Sequence, residues 1–541
     1  PVGHFTSPER RNAEKTIEVE NQELLQLIGV LKSDTSTSLE KEKVLNKLLV
    51  FVIANQCRIK LCKYGVLEPL LQVVQFGNSA CYEKGLQLLM NISAAQENKV
   101  QIFHSSTVIG ALLKVLKSCS EQARILAISV LYNLSMSDDN KHGMYANSDL
   151  IAVLMTILRD REKLIGDGSK ERALGTLMQL CSVSKNCIHL YSRLKITVML
   201  VQFFDVDVYS ADLLQNAAGL LFQLTDQAEN RKTISEFKLI DKVLPLLRVH
   251  VKSSELAKFY AAGVLMNLAL IEDYRMTMLE SPLVGTVIPL LRLCDQDVVY
   301  RIGCIFHGLS ENNDIKVLMM RMPGFLKTCN NLMIESNLGT QEMFAAVLVN
   351  LTDHNDTRVF IYKTGISTIL MCLICHSTEV LLENICSVLC NLAVATDNKV
   401  AMFEENIVPP LLDVMQTGSP LAAEKAMGTV SNLSRNSANK RPLHELGIYP
   451  SVLAVLEGGT PLGCQYAAST LMKLSDIDGL EVHIVNAGLI PPLIALLSEG
   501  TDMAIDYATE TLYNVCVNPE MRNMAKDMGL TKESIQWVGE W

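Results

Sequence analysis

The chain of 541 residues is poor in aromatic side chains, which make up 6% of it, and it has only two tryptophans. Hydrophobic residues nevertheless reach 49%, so Leu, Val, Ile, Met and Ala supply most of the apolar surface. This composition is typical of packed helices rather than of β-sandwiches or β-barrels, which are enriched in aromatic and β-branched residues. The composition therefore predicts an all-α protein.

An excess of positive charge is also missing, because 58 acidic residues outnumber 48 Lys and Arg and give a net charge of −10. Affinity for phosphate backbones depends on clustered Lys and Arg. We therefore do not expect nucleic acid as a general ligand.

No uncharged apolar run reaches the roughly 18 residues of a membrane span, and Pro1 to Asn12 lacks the apolar stretch of a signal peptide. The fifteen cysteines are scattered without compact disulfide spacing, which predicts reduced thiols. We expect a cytoplasmic protein without membrane insertion, with the nucleus and the cilium as alternative sites. Since the chain does not begin with Met, we also expect that further domains could precede Pro1.

The sequence also lacks familiar catalytic and cofactor-binding motifs. The sequence has no phosphate-binding Gly-rich loop, no His-Glu-x-x-His helix and no serine nucleophile elbow. Cys372-Leu373-Ile374-Cys375-His376 matches the haem-attachment pattern, but it falls inside an apolar helical segment, so we predict that it packs in the core. We expect no enzymatic activity, no catalytic residue, no metal and no cofactor.

What the sequence does contain is a repeat. The phrase Leu-x-Asn-Leu-Ser, or a variant of it, recurs every 41 to 46 residues, and its third residue is called position zero below. The zero positions are Val50, Asn91, Asn133, Gln179, Gln223, Asn267, Gly308, Asn350, Asn391, Asn432, Lys473 and Asn514.

A second column confirms this register, because a basic residue stands eight positions after zero in ten of the copies. These residues are Arg58, Lys99, Lys141, Arg231, Arg275, Lys316, Arg358, Lys399, Lys440 and Arg522. A Gly-Ile-x-Pro-Leu-Leu phrase follows, as at Asn406 to Leu412, with Pro in the first turn of a helix. Each copy thus predicts a short helix, a second helix and a longer third helix that carries position zero.

This unit of about 42 residues resembles the armadillo repeat, and the resemblance extends from Leu39 to about Gly529. It implies a right-handed superhelical solenoid of about twelve three-helix repeats, since one unit cannot bury its apolar faces alone. We expect a flexible arm at residues 1–21, the solenoid at 22–529 and a cap at 530–541. Trp537 and Trp541 of that cap would cover the last exposed apolar layer of the solenoid, and Arg159 to Lys170 would form a protruding loop.

The resemblance also implies where a partner would bind, because third helices line the concave groove of armadillo proteins. An amide at position zero can hold both the NH and the C=O of an extended chain. Bases and aromatics seven residues earlier are of types enriched at protein-binding hot spots. The candidate groove residues are Asn91, Asn133, Asn267, Asn350, Asn391, Asn432, Asn514, Lys84, Arg172, Tyr260, Arg301 and Lys425. Two alternatives stay open: the amides tie neighbouring repeats together, and the residues seven positions earlier are only a solvated face.

Nuclear-import adaptors of this superfamily hold basic peptides on Trp side chains four residues before position zero. This chain has small residues there, among them Gly175, Gly219 and Gly428, and no Trp. We therefore expect a wider, smoother groove, closer to catenins or to ciliary and trafficking adaptors, and not nuclear-signal binding. Catenins use groove bases to hold acidic partners, and Lys84, Arg172, Arg301 and Lys425 are the candidates for that role.

The sequence thus predicts a monomeric, non-enzymatic scaffold or adaptor that binds extended or helical segments of partner proteins along its groove. The alternative is an assembly or cargo-transport factor, of a ciliary or motor-protein chaperone type, with further domains outside this chain. Family resemblance defines the surface and leaves the partner unidentified.

Overall fold

The computed structural model describes residues 21–118, 120–160, 164–248 and 254–536. These residues form helices and connecting turns, with no β-strand among them. The chain divides into two compact units, one up to Ile271 and one from Glu272 onwards. The prediction of an all-α protein is confirmed.

The first unit contains seventeen described α-helices and three short 3-10 segments, at Val201–Phe203, Ser235–Phe237 and Leu244–Leu247. The α-helices are α1 (21–32), α2 (Ser38–Phe51), α3 (Asn55–Lys63), α4 (Leu67–Phe76), α5 (Ser79–Ser93), α6 (Gln96–His104), α7 (Val108–Ser118), α8 (Glu121–Ser135), α9 (Asp138–Ala146), α10 (Ser148–Arg159), α11 (Asp167–Cys181), α12 (Ser184–Ser192), α13 (Ile196–Leu200), α14 (Ala211–Asp226), α15 (Ala228–Ile234), α16 (Leu239–Val243) and α17 (Glu255–Ala269).

The second unit contains nineteen described α-helices and the 3-10 segments Ile374–His376, Thr396–Asn398 and Glu533–Ile535. The α-helices are α18 (Glu272–Glu280), α19 (Leu283–Leu290), α20 (Gln296–Ser310), α21 (Asn313–Met320), α22 (Phe325–Glu335), α23 (Leu338–Thr352), α24 (Asn355–Tyr362), α25 (Ile366–Leu373), α26 (Glu379–Leu392), α27 (Lys399–Glu404), α28 (Val408–Thr417), α29 (Pro420–Ser434), α30 (Ser437–Glu445), α31 (Tyr449–Gly458), α32 (Pro461–Ser475), α33 (Glu481–Asn486), α34 (Ile490–Glu499), α35 (Asp502–Val517) and α36 (Pro519–Asp527).

The predicted register holds in both units, because all twelve zero positions lie near the C-terminal end of a long third helix. In the first unit the third helices α2, α5, α8, α11, α14 and α17 pack in succession. In the second unit α20, α23, α26, α29, α32 and α35 do the same. Leu131, Leu221 and Leu348, two residues before position zero, are fully buried, so the apolar letters of the repeat phrase form the core of each stack.

Seven of the twelve third helices begin at a hydroxyl side chain that has two roles. Ser or Thr at the N-cap accepts a hydrogen bond from the backbone of the first turn, as Ser419 does from Ala422, which is worth about 1 kcal/mol. The same hydroxyl donates to a carboxylate or amide eight residues before position zero of the preceding repeat. Such pairs are Ser120 with Glu83, Ser210 with Glu171, Ser254 with Gln215, Thr378 with Glu342, Ser419 with Glu383, Thr460 with Glu424, and Thr501 with Gln465.

A buried asparagine seven residues after position zero joins neighbouring repeats through their backbones. Its Nδ2 donates to the carbonyl one residue after position zero of its own repeat and, in four copies, to the carbonyl of the basic residue of the preceding repeat. The own-repeat pairs are Asn98 with Ile92, Asn140 with Leu134, Asn186 with Leu180, Asn230 with Leu224, Asn398 with Leu392, and Asn439 with Leu433. The cross-repeat pairs are Asn98 with Arg58, Asn140 with Lys99, Asn398 with Arg358, and Asn439 with Lys399.

The loop predicted at Arg159 to Lys170 is shorter than expected. Helix α11 already begins at Asp167, and Ser169 and Lys170 are buried. Lys170 forms an ion pair with Asp160 at 3.4 Å, and the backbone NH of Ser169 donates to Glu121. The prediction of a loop over the whole stretch was wrong, because these partners fold its second part back as the first turn of a third helix. Residues 161–163 lie outside the described residues.

The two ends of the predicted solenoid are described only in part. Of the predicted arm at residues 1–21, only Asn21 falls within the described residues, and it is helical. In the predicted cap, Leu530 and Ile535 are buried at 3% and 2% exposure, and the segment Glu533–Ile535 packs on α35. Trp537 and Trp541 lie outside the described residues, so the predicted domain boundaries stay a prediction.

The Cys-x-x-Cys-His motif does not pack in the core. Cys372 and Cys375 are both exposed, because α25 ends at Leu373 and a 3-10 turn turns the following residues outwards, except Ile374. The prediction of core packing was therefore wrong for the two thiols. Its reasoning assumed that every residue of an apolar segment faces inwards, whereas only one side of this short helix does.

Within the described ranges no single helix has both the length and the apolar composition of a membrane span. Two sharply bent pairs, Asn355–Tyr362 with Ile366–His376 and Glu379–Leu392 with Thr396–Glu404, meet these two criteria only when each pair is taken together.

Candidate partner-binding site

The zero-position amides lie on successive third helices, and six of them donate a hydrogen bond to the preceding repeat. Their Nδ2 atoms reach the hydroxyl two residues after the preceding zero position, the carbonyl one residue before it, or both, and Nδ2 of Asn514 also reaches the carboxylate of Asp476. The pairs are Asn133 with Met90 and Ser93, Asn267 with Thr225, Asn350 with Ser310, Asn391 with Val349 and Thr352, Asn432 with Cys390, and Asn514 with Ser475 and Asp476.

This geometry bears on the two roles that the sequence left open for the amides. The nitrogen of each of the six is engaged with the stack, so a ligand would meet these carboxamides mainly through their oxygens. Asn267 and Asn432 are buried, at 2% and 6% exposure, whereas Asn91, Asn350 and Asn391 are half-buried. The amides therefore join repeats, and their use in partner binding stays a prediction.

The bases seven residues before position zero have acidic neighbours. Lys84 pairs with Glu42 at 2.7 Å, and Lys425 pairs with Glu424 at 2.8 Å. Arg172 lies 4.0 Å from Glu171 and stands over the ring of Tyr132. Their positive charge is thus partly balanced within the protein itself.

The charge of Lys425 illustrates this balance. Burial works to lower its pKa, but the hydrogen bond and negative charge of Glu424 outweigh burial, and the pKa of Lys425 is raised. Of the other two candidates, Tyr260 packs on the ring of Phe222 with 6.0 Å between centroids, and Arg301 lies half-buried on α20.

The small residues four positions before zero do not leave an open channel. A Cβ at Gly428 would lie 2.8 Å from Cys390 Sγ and 3.0 Å from the ring of Tyr466. At Gly219 it would lie 2.3 Å from Met178 Sδ and 3.1 Å from the ring of Tyr260. The expectation of a wider, smoother groove is wrong at these positions, because side chains of the two neighbouring repeats already lie across each glycine.

The basic residues eight positions after position zero lie near the N-terminal end of the short first helix that follows each third helix. Three of them, Arg58, Arg358 and Lys399, donate to carbonyls at or just after the C-terminal end of that third helix, where a cation complements the helix dipole. Three of these bases pair with an acid three residues after the next zero position. The pairs are Arg275 with Glu311, Lys316 with Asp353 at 3.6 Å, and Lys440 with Asp476 at 3.2 Å. A base from one repeat and an acid from the next thus recur as a cross-repeat ion pair.

This pattern is reversed at one place in the second unit. The position that would hold the acid facing Lys399 is occupied by Arg435, which is exposed. Lys399 donates to the Val394 carbonyl at 2.6 Å and has no carboxylate within ion-pair distance among the described residues. Arg358, one repeat earlier, bonds to the carbonyls of Thr352 and Asp353 and to Asn355 Oδ1. We call Arg358, Lys399 and Arg435 the basic cluster.

The electrostatics of the basic cluster follow from its burial and its composition. Lys399 is only 5% exposed. Burial is the main cause that lowers the pKa of Lys399, and the positive charges of Arg435 and Arg358 lower it further. An anion at this place would offset both effects, since it would supply the missing opposite charge to a partly desolvated cation. This cluster was not predicted from the sequence. The charge of the residue three positions after position zero, which is basic here and acidic in the three cross-repeat ion pairs, is the sequence feature that indicates it.

No group of three or more potential metal-ligating His, Cys, Asp or Glu side chains occurs within the described ranges. On the third-helix side of the second unit, the groups that could bind a partner are the carboxamide oxygens and the cations of the basic cluster.

Stacked three-helix units with this register define an armadillo-type repeat protein, and comparison with known families agrees. The model of the plant U-box protein ARM repeat region matches residues 23–294. The chain belongs to this armadillo-repeat family. No curated protein sequence matches the chain.

Solved structures share the fold at low sequence identity. A structure whose title concerns a phosphorylation switch in the interaction between cadherin and beta-catenin superposes with a TM-score of 0.69 and 13% identity, covering 91% of this chain and 98% of that chain. An engineered protein superposes with a TM-score of 0.66 and 16% identity, covering 76% of this chain and 98% of its own. At these identities the likeness shows the fold alone.

Proposed function

We propose that this chain is a non-enzymatic scaffold whose second unit binds an extended, acidic segment of a partner protein across the ends of α26 and α29. The observation that carries the proposal is the basic cluster, where Arg435 stands in the place that holds an acid in three other cross-repeat pairs. A carboxylate from a partner would complete the ion pair that this repeat lacks.

The physical basis is the partial desolvation of the cluster. A charge pair in a partly buried place is screened less than one on an open surface, and hydrogen bonds to charged groups are worth about 1.5 to 3 kcal/mol. Lys399 contributes a buried ammonium and Arg435 an exposed guanidinium that can bind a carboxylate with two parallel bonds. Such a site favours a flexible segment that can bring an Asp or Glu side chain close to the helix ends.

The neighbouring amide suits the backbone of such a segment. Asn391 donates to Val349 and Thr352 through Nδ2 and remains half-buried, so its oxygen can accept a hydrogen bond from a partner's backbone NH. Lys425 and the other predicted groove residues of the second unit, Arg301, Asn350, Asn432 and Asn514, would extend the contact on either side. Whether the scaffold acts as an adaptor or as an assembly or cargo factor stays a prediction, as do its monomeric state and its cytoplasmic location.

The proposal predicts selective binding of acidic peptides to the full chain. Two synthetic peptides of equal length, identical except that one has Glu where the other has Lys, are titrated by isothermal calorimetry. We expect the Glu peptide to bind at least about tenfold more tightly, since one charge-assisted hydrogen bond already exceeds the 1.4 kcal/mol that a factor of ten represents. Its affinity should fall as salt is raised.

Equal affinity of the two peptides, or tighter binding of the Lys peptide, would exclude the proposed function. A Glu-peptide affinity that does not change with salt would also count against it, because the proposed contact depends on charge.

A further inference from the structure

A cavity of about 550 Å³ lies in the first unit, away from the third-helix surface discussed above. It is formed between the first helices α9 and α12 of two neighbouring repeats and the second helix α10. Its volume falls within the range of small-molecule pockets, roughly 300 to 1,000 Å³.

The cavity owes its space to a shortened helix. In the preceding repeats the second helices α4, α7 and α10 have 10, 11 and 12 residues, whereas α13 has only five and continues as the 3-10 segment Val201–Phe203. The connection into α13 passes through Lys195 in the left-handed conformation, at φ 51°. The second helix next to α10 is thus short, which leaves room for the cavity beside α10.

The walls of the cavity are largely apolar. Ile151 and Met155, 6% and 2% exposed, lie one turn apart on α10, and Leu194 contributes from the turn after α12. The rings of Tyr145 and His189 stand edge to face, with 5.8 Å between centroids, and the Tyr145 hydroxyl and His189 Nδ1 are hydrogen-bonded at 2.9 Å. This bond holds the imidazole in one orientation at the wall.

The charged side chains in the lining of the cavity are basic, which favours an anionic ligand. None of its thirteen lining residues is acidic, whereas Arg159 and Lys185 carry permanent positive charge and His142 and His189 add two imidazoles. Neither Arg159 nor Lys185 has a carboxylate within ion-pair distance in the part of the chain that the structure describes.

We propose that this cavity binds a small molecule with an apolar body and a single acidic group. The body lies against Ile151, Met155 and Leu194, and the carboxylate, sulfonate or phosphate binds to Arg159 and Lys185. The cavity is independent of the basic cluster, so this site can exist whether or not the scaffold binds an acidic partner.

The test uses decanoate and its neutral analogue decan-1-ol, titrated by calorimetry into the full chain. We expect decanoate to bind at least about tenfold more tightly than decanol. The double variant Arg159→Gln, Lys185→Gln should weaken decanoate at least about tenfold and leave decanol unchanged, since hydrogen bonds to charged groups exceed the 1.4 kcal/mol of one factor of ten.

Ala152→Trp fills the cavity from an exposed position on α10 and should abolish binding of both ligands. Gly110→Trp, at the corresponding position of α7 where a Cβ would meet no atom within 4 Å, is the matched control and should leave binding unchanged. Thermal melting shows that each variant is folded. The proposal is overturned if decanoate does not bind, if decanol binds as tightly, or if folded Ala152→Trp binds decanoate like the unchanged chain.

Discussion

Replacing Arg435 by Asp is expected to weaken the binding of the Glu peptide at least about a hundredfold while leaving the chain as stable as before. The substitution removes one cation from the basic cluster and gives Lys399 an internal carboxylate, as Lys316 has in Asp353. Two charge-assisted contacts to the peptide are lost, and each is worth about 1.5 kcal/mol or more, which together corresponds to about two factors of ten. Calorimetry with the same peptide measures the loss.

Lys327→Asp is the matched control for this substitution. Lys327 is an exposed base on the second helix α22 of the same unit, and its reversal changes the net charge by the same amount. We expect it to leave peptide affinity within about twofold at physiological salt, because screening limits long-range effects between exposed charges. If Arg435→Asp retains full affinity, or if both reversals weaken binding equally, the basic cluster is not the binding site.

A second large effect is expected for Asn439→Ala, which removes a buried amide that joins two repeats. Asn439 is 2% exposed, and its Nδ2 donates to the carbonyls of Lys399 at 3.0 Å and Leu433 at 3.2 Å. The Leu433 carbonyl also accepts from the backbone NH of Asn436, so the substitution removes two hydrogen bonds, each worth about 0.5 to 1.5 kcal/mol net. We therefore expect the free energy of unfolding of the second unit to fall by about 1 to 3 kcal/mol, measured by denaturant titration.

Ser437→Ala tests whether such a loss is specific. Ser437 begins the same helix α30 and is exposed, so its replacement should change stability by less than about 0.5 kcal/mol. An Asn439→Ala variant whose stability stays within that range would show that the asparagine column does not hold the repeats together.

The register of the repeats could be predicted from the sequence because stacking imposes the same burial on the same position of every copy. Leu131 and Leu348 are equivalent residues and equally buried. A periodic pattern of apolar residues therefore carries information about contacts between repeats as well as within one. For the same reason the sequence pattern predicts the bounds of the third helices to within a few residues.

The roles of polar residues were harder to predict, because a polar side chain can point into the stack or away from it. Asn350 and Asn432 have the residue type that binds an extended backbone, yet their nitrogens bond to Ser310 and Cys390 of the preceding repeats. Sequence alone does not fix a side-chain torsion, and both orientations satisfy the amide. The exposed thiols of Cys372 and Cys375 show the same limit for an apolar segment.

The basic cluster was missed because its signal lies in the absence of an acid rather than in the presence of a base. Lys399 belongs to a column that is basic in almost every repeat, and by itself it is not distinctive. Only the structure shows that the residue facing each member of the column comes from the next repeat. With that pairing known, Arg435 stands out against Glu311, Asp353 and Asp476.

Photo-crosslinking shows where on the chain an acidic segment binds, and we expect the basic cluster to be that place. A Glu peptide that carries a benzophenone side chain next to its acidic residues is bound to the full chain, irradiated, and the attachment sites are identified by mass spectrometry. We predict crosslinks within residues 391–435, at the ends of α26 and α29, and their loss in Arg435→Asp but not in Lys327→Asp. Crosslinks confined to the first unit, or unchanged in Arg435→Asp, would contradict the claim.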